Sequence, residues 1–472
     1  MISQLLLYFC LLPSIFSLNI GLFSSPFNSQ QIKNAIQLSN LFVSQHHVTL
    51  IRPNPTCKSS LHVPSEKVHQ IFLNVTGVAC TRDFKPFTHR KLHKFSEFSD
   101  IVAENRIFKD ASLQICKEML KNDKLIKDIS ARKLDLAILS DVDYCLLGVI
   151  KKAGILKWAL AEPGVPSSNI LIENGITPAS EGLVEKFQQI FIGAFNYLSE
   201  WWFLHSSLTE LFQQQYSDDF PSIATLRHQI TTIISGAQPI LHNDLSFNNR
   251  IHFMNNSPNN KSPKKAENSV VIVALDDNNS LSESSRNALF ELFRAKKTTK
   301  FVWLTKAQHE VPANVQLVVS KPNFANAKLL ISNGDYSDMV EALHNGIPTL
   351  ILGQSDLLEK NLQAFEKIEV SIVADNNLLI HYDTILSARY AVNVQSIKDM
   401  LSKQSEDIDL LIAKSLKSKN SNNSSVITTF SIDIAIILFV PLYILFMFIR
   451  KLLSLYYWSC FEMSYKEKIK ND

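Results

Sequence analysis

The chain has 472 residues, 46% of them hydrophobic and 19% charged, which is enough for a sizeable core and roughly two or three domains. Its 47 basic and 44 acidic residues leave a formal net charge of +3, without the basic footprint that a nucleic-acid-binding surface needs. Glycine is scarce, at 12 residues, few for a chain built around phosphate-cradling loops.

Residues 1–17 carry an apolar run over 5–12 and small residues at Ser14 and Ser17, and read as a secretory signal peptide although no Lys or Arg precedes the run. Residues 18–24 predict a strand. Residues 31–44 predict an amphipathic helix with Ile32, Ala35, Ile36, Phe42 and Val43 on one side, and 47–51 a second strand. This strand–loop–helix–strand order opens a Rossmann-like domain. His46 and His47 fall at the far end of the helix and read as surface or packing residues. Residues 134–139 (LDLAIL) predict another strand, followed by Ser140, Asp141 and Asp143; Asp favours turns, so both carboxylates read as solvated turn residues. Residues 183–211 predict an aromatic-rich helical stretch. Residues 255–268, polar and Pro-containing, read as a linker, with a ligand cleft between the domains on either side of it.

The second half opens with a strand at 270–275 (VVIVAL), followed by Asp276-Asp277, and continues with a strand at 301–304. Residues 329–331 are a short apolar strand. The turn Ser332-Asn333-Gly334-Asp335 follows, then a helix carrying Met339, Val340, Ala342 and Leu343, which Gly346 and Pro348 stop; 349–352 return as a strand. In such a unit the helix N-terminus faces the end of the first strand, and its free N–H groups and positive dipole end form a natural phosphate site. Asp335 is also a preferred capping residue that competes for those N–H groups. Residues 395–401 read as a helix start and 415–425 as a polar stalk. Residues 426–449 hold one charge, Asp433, and are long enough to cross a bilayer. Arg450 and Lys451 then place the tail, 450–472, in the cytosol. Lys468 and Lys470 resemble a di-lysine retrieval signal of the endoplasmic reticulum. Cys57, Cys80, Cys116 and Cys145 would then be lumenal, where disulfides are permitted, and their spacing is no metal pattern. Acceptor sequons stand at Asn74, Asn255, Asn260, Asn278, Asn422 and Asn423.

Ile331-Ser332, Gly334, Glu341-Ala342, Gly346-Ile347-Pro348 and Asn361, preceded by Lys300-Phe301-Val302-Trp303, stand in the spacing of the C-terminal signature of UDP-glycosyltransferases. The chain resembles that family, in particular the membrane-bound glucuronosyltransferase type of animals and its nematode-like members. Ser25-Pro26-Phe27, Val48-Thr49 and residues 134–139 with Cys145 extend the likeness to the N-terminal half. The resemblance implies an α/β architecture of the GT-B type, with two Rossmann-like domains facing a cleft, plus a C-terminal transmembrane helix. The acceptor-side domain would be 18–254, the UDP-sugar-side domain 269–414, and the lumenal body would be held in the endoplasmic reticulum membrane by a single span. It implies transfer of a hexose, glucuronic acid or glucose, from a UDP-sugar to a small lipophilic hydroxyl acceptor. The displacement would be direct and inverting, assisted by a His–carboxylate pair. The UDP-sugar is a co-substrate; no cofactor or metal is implied. Homo- or hetero-oligomers with related transferases are the implied protein partners.

Carried over residue by residue, the family's histidine base falls on Gln30 or Gln31 and its orienting carboxylate on Ser140. The Gly-Ser turn falls on Asp276-Asp277, the uracil-stacking tryptophan on Ser320, and the following glutamine on Asn323. The phosphate histidine falls on Asn333, the second glycine on Asp335, and the sugar-reading pair on Leu357-Leu358, with Asp356 one residue away. Glu341 is retained where the family bonds the ribose hydroxyls. The implied donor set is Trp303, Asn323, Asn333, Gly334, Ser337, Glu341, Asp356 and Asn361. Two readings follow: an enzyme of this family with a reworked site, or a non-catalytic, membrane-anchored relative that binds a lipophilic ligand or a partner protein.

Overall fold

The computed structural model describes residues 17–55, 64–75, 98–140, 143–162, 164–166, 170–171, 204–230, 232–241, 250–254, 270–275, 282–305, 310–319, 322–352, 359–374, 377–402, 443, 447 and 449–451. The first half contains β1 (Asn19–Phe23), α1 (Ser29–Phe42), β2 (His47–Pro53), β3 (His69–Leu73), α2 (Phe98–Leu120), α3 (Asp123–Ala131) and β4 (Leu136–Leu139). It continues with α4 (Tyr144–Lys152), β5 (Trp158–Glu162), α5 (Ser206–Gln215), α6 (Ile223–His228), β6 (Ile233–Ser235) and β7 (Ile251–Phe253). The second half contains β8 (Val270–Ala274), α7 (Glu283–Ala295), β9 (Phe301–Leu304), β10 (Val315–Val318), β11 (Ala327–Ser332), α8 (Tyr336–His344) and β12 (Thr349–Leu352). It ends with α9 (Glu359–Lys367), β13 (Ser371–Ala374), α10 (Leu378–Ile385) and α11 (Ala388–Leu401).

Two parallel sheets result, one ordered β3-β2-β1-β4-β5-β6-β7 and the other β10-β9-β8-β11-β12-β13. Parallel strands need crossover connections and end up covered on both faces, which is why their sequences are near-continuous apolar runs. Within β8, Val271 and Val273 enter one core, with α7 and α10, while Ile272 and Ala274 enter the opposite one beneath Ala342 of α8. Within β1, Ile20 and Leu22 pack under α1, while Phe23 faces the core built by α2 to α6. Helix starts follow local chemistry: Asn122, Asp143, Ser222 and Ser282 each accept a backbone N–H as N-caps.

In each sheet the strand order reverses once, between β1 and β4 and between β8 and β11. The crevice outside the carboxyl ends of such strands is where open α/β sheets bind ligands. The two halves also share apolar packing: Ile240 and Leu241, from the 3-10 turn Pro239–Leu241, join the core of α8, α9 and α11.

The helix expected to start at 395 begins earlier, as α11, because Ser387 starts a continuous helix whose Val394 and Leu401 are buried. The linker at 255–268, residues 1–16 and the stalk lie outside the described residues. Among the described residues no helix is long and apolar enough to cross a membrane. The expected span, 426–449, is described only at Tyr443, Met447 and Ile449, each helical and exposed. Of the sequons, Asn74 is described, exposed just after β3.

Cys116 of α2 and Cys145 of α4 form a disulfide, with Cα atoms 5.7 Å apart and a sequence separation of 29. Closing a loop of this size removes about 3.5 kcal/mol of chain entropy from the unfolded state. Replacing both cysteines by alanine is expected to lower unfolding stability by about that amount, measured by denaturant titration under non-reducing conditions.

Candidate functional site

At the second switch point, β11 ends at Ser332 and the chain turns through Asn333 and Gly334 into α8. Gly334 has φ of +90°, a conformation that glycine adopts without the penalty a Cβ brings. A side chain there would also press on Leu362 Cδ2 at 3.1 Å. Ser332 Oγ accepts from the Gly334 N–H at 3.2 Å and braces the turn. The turn therefore has the shape of an anion-binding loop, with a helix N-terminus directly behind it.

The N–H groups of that helix end are already engaged. Asp335 is the N-cap of α8: its Oδ1 accepts from the Ser337 N–H at 2.9 Å, the Asp338 N–H at 3.2 Å and the Ser337 hydroxyl at 3.0 Å. Its Oδ2 accepts from the ammonium of Lys33, which also donates to Asp338 Oδ2 at 2.7 Å. Lys33 lies on α1, in the other sheet's domain. The three residues are only 7%, 3% and 5% exposed in the order Lys33, Asp335, Asp338. One turn along the same face of α1, Gln37 Nε2 donates to Ser337 Oγ at 3.1 Å. Nearby, the Gln238 N–H donates to Tyr336 Oη at 2.9 Å. Burial holds that phenol protonated, well above its ordinary range.

Around the first switch point, β1 and β4 pair through Phe23 and Leu139, so Ser24 and Ser140 follow side by side. Both are buried with no partner for their hydroxyls among the described residues; Gln31, at the start of α1, is also buried and its Oε1 is likewise unpartnered. Gln30 belongs to the first turn of α1, and its side chain is outside the described set. None of Ser24, Ser140, Gln30 and Gln31 titrates near neutral pH, so none is a general base.

Asp143 departs from the solvated turn residue that sequence favours. It is buried as the N-cap of α4, accepting from the Leu146 N–H at 3.3 Å, and its Oδ2 has no partner among the described residues. Burial pushes its carboxyl up to about 7, against two smaller backbone hydrogen bonds that pull it down. Asp141 is outside the described residues. His46 is buried and accepts the Leu18 N–H at Nδ1 at 3.4 Å, while His47 is exposed at the start of β2.

Among the expected donor residues, Asn333, Gly334, Ser337 and Glu341 gather at the β11–α8 junction and on α8. Asn323 lies exposed ahead of the 3-10 turn Phe324–Asn326. Trp303, on the fully buried β9, packs against α7, 6.0 Å from Phe290 and 5.9 Å from Phe293. Asn361 lies on α9 with its side chain outside the described set; Asp276, Asp277, Ser320, Asp356, Leu357 and Leu358 are outside the described residues. Sequence reasoning missed Lys33. Its signal was a lone lysine on the otherwise uncharged α1, and its partners lie about 300 positions downstream.

Two doubly wound sheets meeting at their switch points define the GT-B glycosyltransferase fold, and the solved structures agree. The spinosyn rhamnosyltransferase SpnG aligns over 85% of this chain and 100% of its own, with a TM-score of 0.56 at 11% identity. SnogD from Streptomyces nogalater aligns over 84% and 98%, with a TM-score of 0.53 at 14% identity. SpnG has been solved with thymidine diphosphate and with spinosyn aglycone. No family model matches the sequence. The resemblance to UDP-glycosyltransferases is borne out by a curated Caenorhabditis elegans protein named "Putative UDP-glucuronosyltransferase ugt-50", 23% identical over 306 residues. The match covers 54% of this chain and 57% of that protein, so the chain spans just over half the length of this relative.

Asp143 offers a clean pH test. An unfolded Asp ionises near 3.9, whereas the folded one stays protonated to about 7. Its contribution is therefore most favourable below pH 4 and is lost as pH rises towards 7. Asp143→Asn keeps the cap and is expected to gain melting temperature relative to wild type as pH goes from 4 to 7. A constant difference between the two melting curves across that range would contradict the assignment.

Proposed function

We propose that this protein is a glycosyltransferase that moves a sugar, glucuronic acid or glucose, from a UDP-sugar to the hydroxyl of a small lipophilic acceptor. The observation that carries this reading is the β11–Gly334–α8 turn at a topological switch point, facing the first domain's α1 across the crevice. The nucleotide would lie over the second sheet and the acceptor over the first. The acceptor hydroxyl oxygen would attack the anomeric carbon as the bond to the diphosphate breaks; UDP would leave with the electron pair, and the hydroxyl proton would pass to water. Glu341, half-buried on α8, would accept hydrogen bonds from the ribose hydroxyls. The thymidine diphosphate and spinosyn aglycone complexes of SpnG support a nucleotide-bearing donor and a separate acceptor.

The same reading places the protein in the endoplasmic reticulum membrane. Its basis is the N-terminal apolar run, the apolar stretch 426–449 and the lysine pair near the C-terminus. The Cys116–Cys145 bridge supports an oxidising compartment.

A second reading, a non-catalytic relative that binds a lipophilic ligand or a partner protein, draws on two observations. By resemblance the family's base falls on uncharged Gln30 or Gln31 and its carboxylate on Ser140, and the α8 N-terminus carries two carboxylates.

The enzyme reading expects UDP-sugar-dependent glycosylation of phenolic acceptors. Glu341→Ala should lower kcat/KM about tenfold to hundredfold, the loss of a charge-assisted hydrogen bond of about 1.5–3 kcal/mol. Absence of turnover across a broad donor and acceptor panel rejects it. Thermal denaturation with UDP separates the two readings: a ligand at about 100 times its dissociation constant adds about 2.7 kcal/mol, so a clear rise in Tm at millimolar UDP counts against loss of the donor site.

A further inference from the structure

Lys33 is a cation supplied by the protein itself to the place where an anionic ligand would be expected. Its ammonium reaches from α1 across the crevice to two carboxylates in the first turn of α8, Asp335 and Asp338. Gln37, on the same face of α1, holds Ser337 in that turn. The Ser337 and Asp338 N–H groups, which a phosphate at this helix end would use, are taken by Asp335 Oδ1. A nucleoside diphosphate brought to this point meets two like charges and no uncommitted N–H on Ser337 or Asp338. The geometry admits it once Lys33 turns from the carboxylates to the phosphates, or once α1 withdraws.

We propose that Lys33, Asp335 and Asp338 form an interdomain latch that holds the donor crevice shut, with the lysine standing in for the charge complement of a nucleoside diphosphate. The inference rests on the donor-site reading above for the identity of the excluded ligand. The latch is suited to switching. Opening it breaks two ion pairs but returns three charged groups to water, and for buried ion pairs these opposing terms are close in size. A bistable contact of this kind is moved by any ligand that prefers one of its two states. The apolar contact of Leu241 and Ile240 with the α8 core provides a second connection between the halves, so release of the latch opens the crevice without separating the domains.

The test compares the full chain with a Lys33→Met, Asp335→Asn, Asp338→Asn variant, which removes all three charges and keeps a capping side chain. Amide hydrogen exchange is read in α1, in the first turn of α8 and, as a fold control, in β11. UDP binding is read by calorimetry. The latch predicts exchange at least tenfold faster in α1 and the first turn of α8, with β11 unchanged, and a UDP Kd at least tenfold lower in the variant. Unchanged exchange overturns it, as does equal UDP affinity in both proteins, which leaves the donor-site reading in place. Accelerated exchange with UDP bound by neither protein supports the latch as a contact and rejects the donor-site reading instead. If the triple variant does not fold, Asp338→Asn retains the cap and one ion pair. It must then show at least threefold faster exchange in the same segments, and unchanged exchange there overturns the latch.

Discussion

A buried ammonium between two buried carboxylates joins the halves of this molecule at the topological switch point of the second sheet. Charges removed from water are tolerated when paired, and removing one partner of such a group costs about 3–5 kcal/mol. Lys33 therefore cannot be lost alone without leaving Asp335 and Asp338 uncompensated, and neither carboxylate can face a diphosphate while the lysine serves it. Like unit charges about 4 Å apart interact by about 4 kcal/mol at a surface-like dielectric. Under the proposed latch, the state of this cluster sets whether the β11–α8 turn repels or accepts an anion.

The rest of the architecture brings those three residues together. Each sheet is doubly wound, so its loops at the reversal of strand order open towards its carboxyl edge. α1 follows β1 and α8 follows β11, and both helices begin at that edge, one from each half. The early turns of the two helices meet through Lys33, Gln37, Asp335, Ser337 and Asp338. Gln31 with Ser140 on one side and Asp335 with Asp338 on the other are each buried, but in opposite ways: the first pair is neutral with unpartnered oxygens, the second charged and compensated. Buried polar atoms without a partner are uncommon, and among the described residues Gln31 Oε1 and the Ser140 hydroxyl are two of them.

Much of the fold was legible in the chain. The apolar runs at 18–24, 134–139, 270–275 and 329–331 became strands because a parallel sheet covered on both faces has no polar alternation to obscure them. The turn at Gly334 and the cap at Asp335 were visible because both depend on local backbone chemistry. Asp143 was read as a solvated turn residue because a turn carboxylate and a buried cap have the same local signature.

Sequence alone determined the apolar strands at 18–24, 47–51, 134–139, 270–275, 301–304, 329–331 and 349–352, the helix after Gly334 and the likeness to UDP-glycosyltransferases, all of which are encoded within short windows of chain. Only the tertiary structure decided that Lys33 would answer Asp335 and Asp338, that Cys116 would find Cys145, and that Trp303 would pack against α7. Those outcomes depend on which segments face one another after folding. A charge some 300 residues from its partners leaves no trace in the local pattern of either.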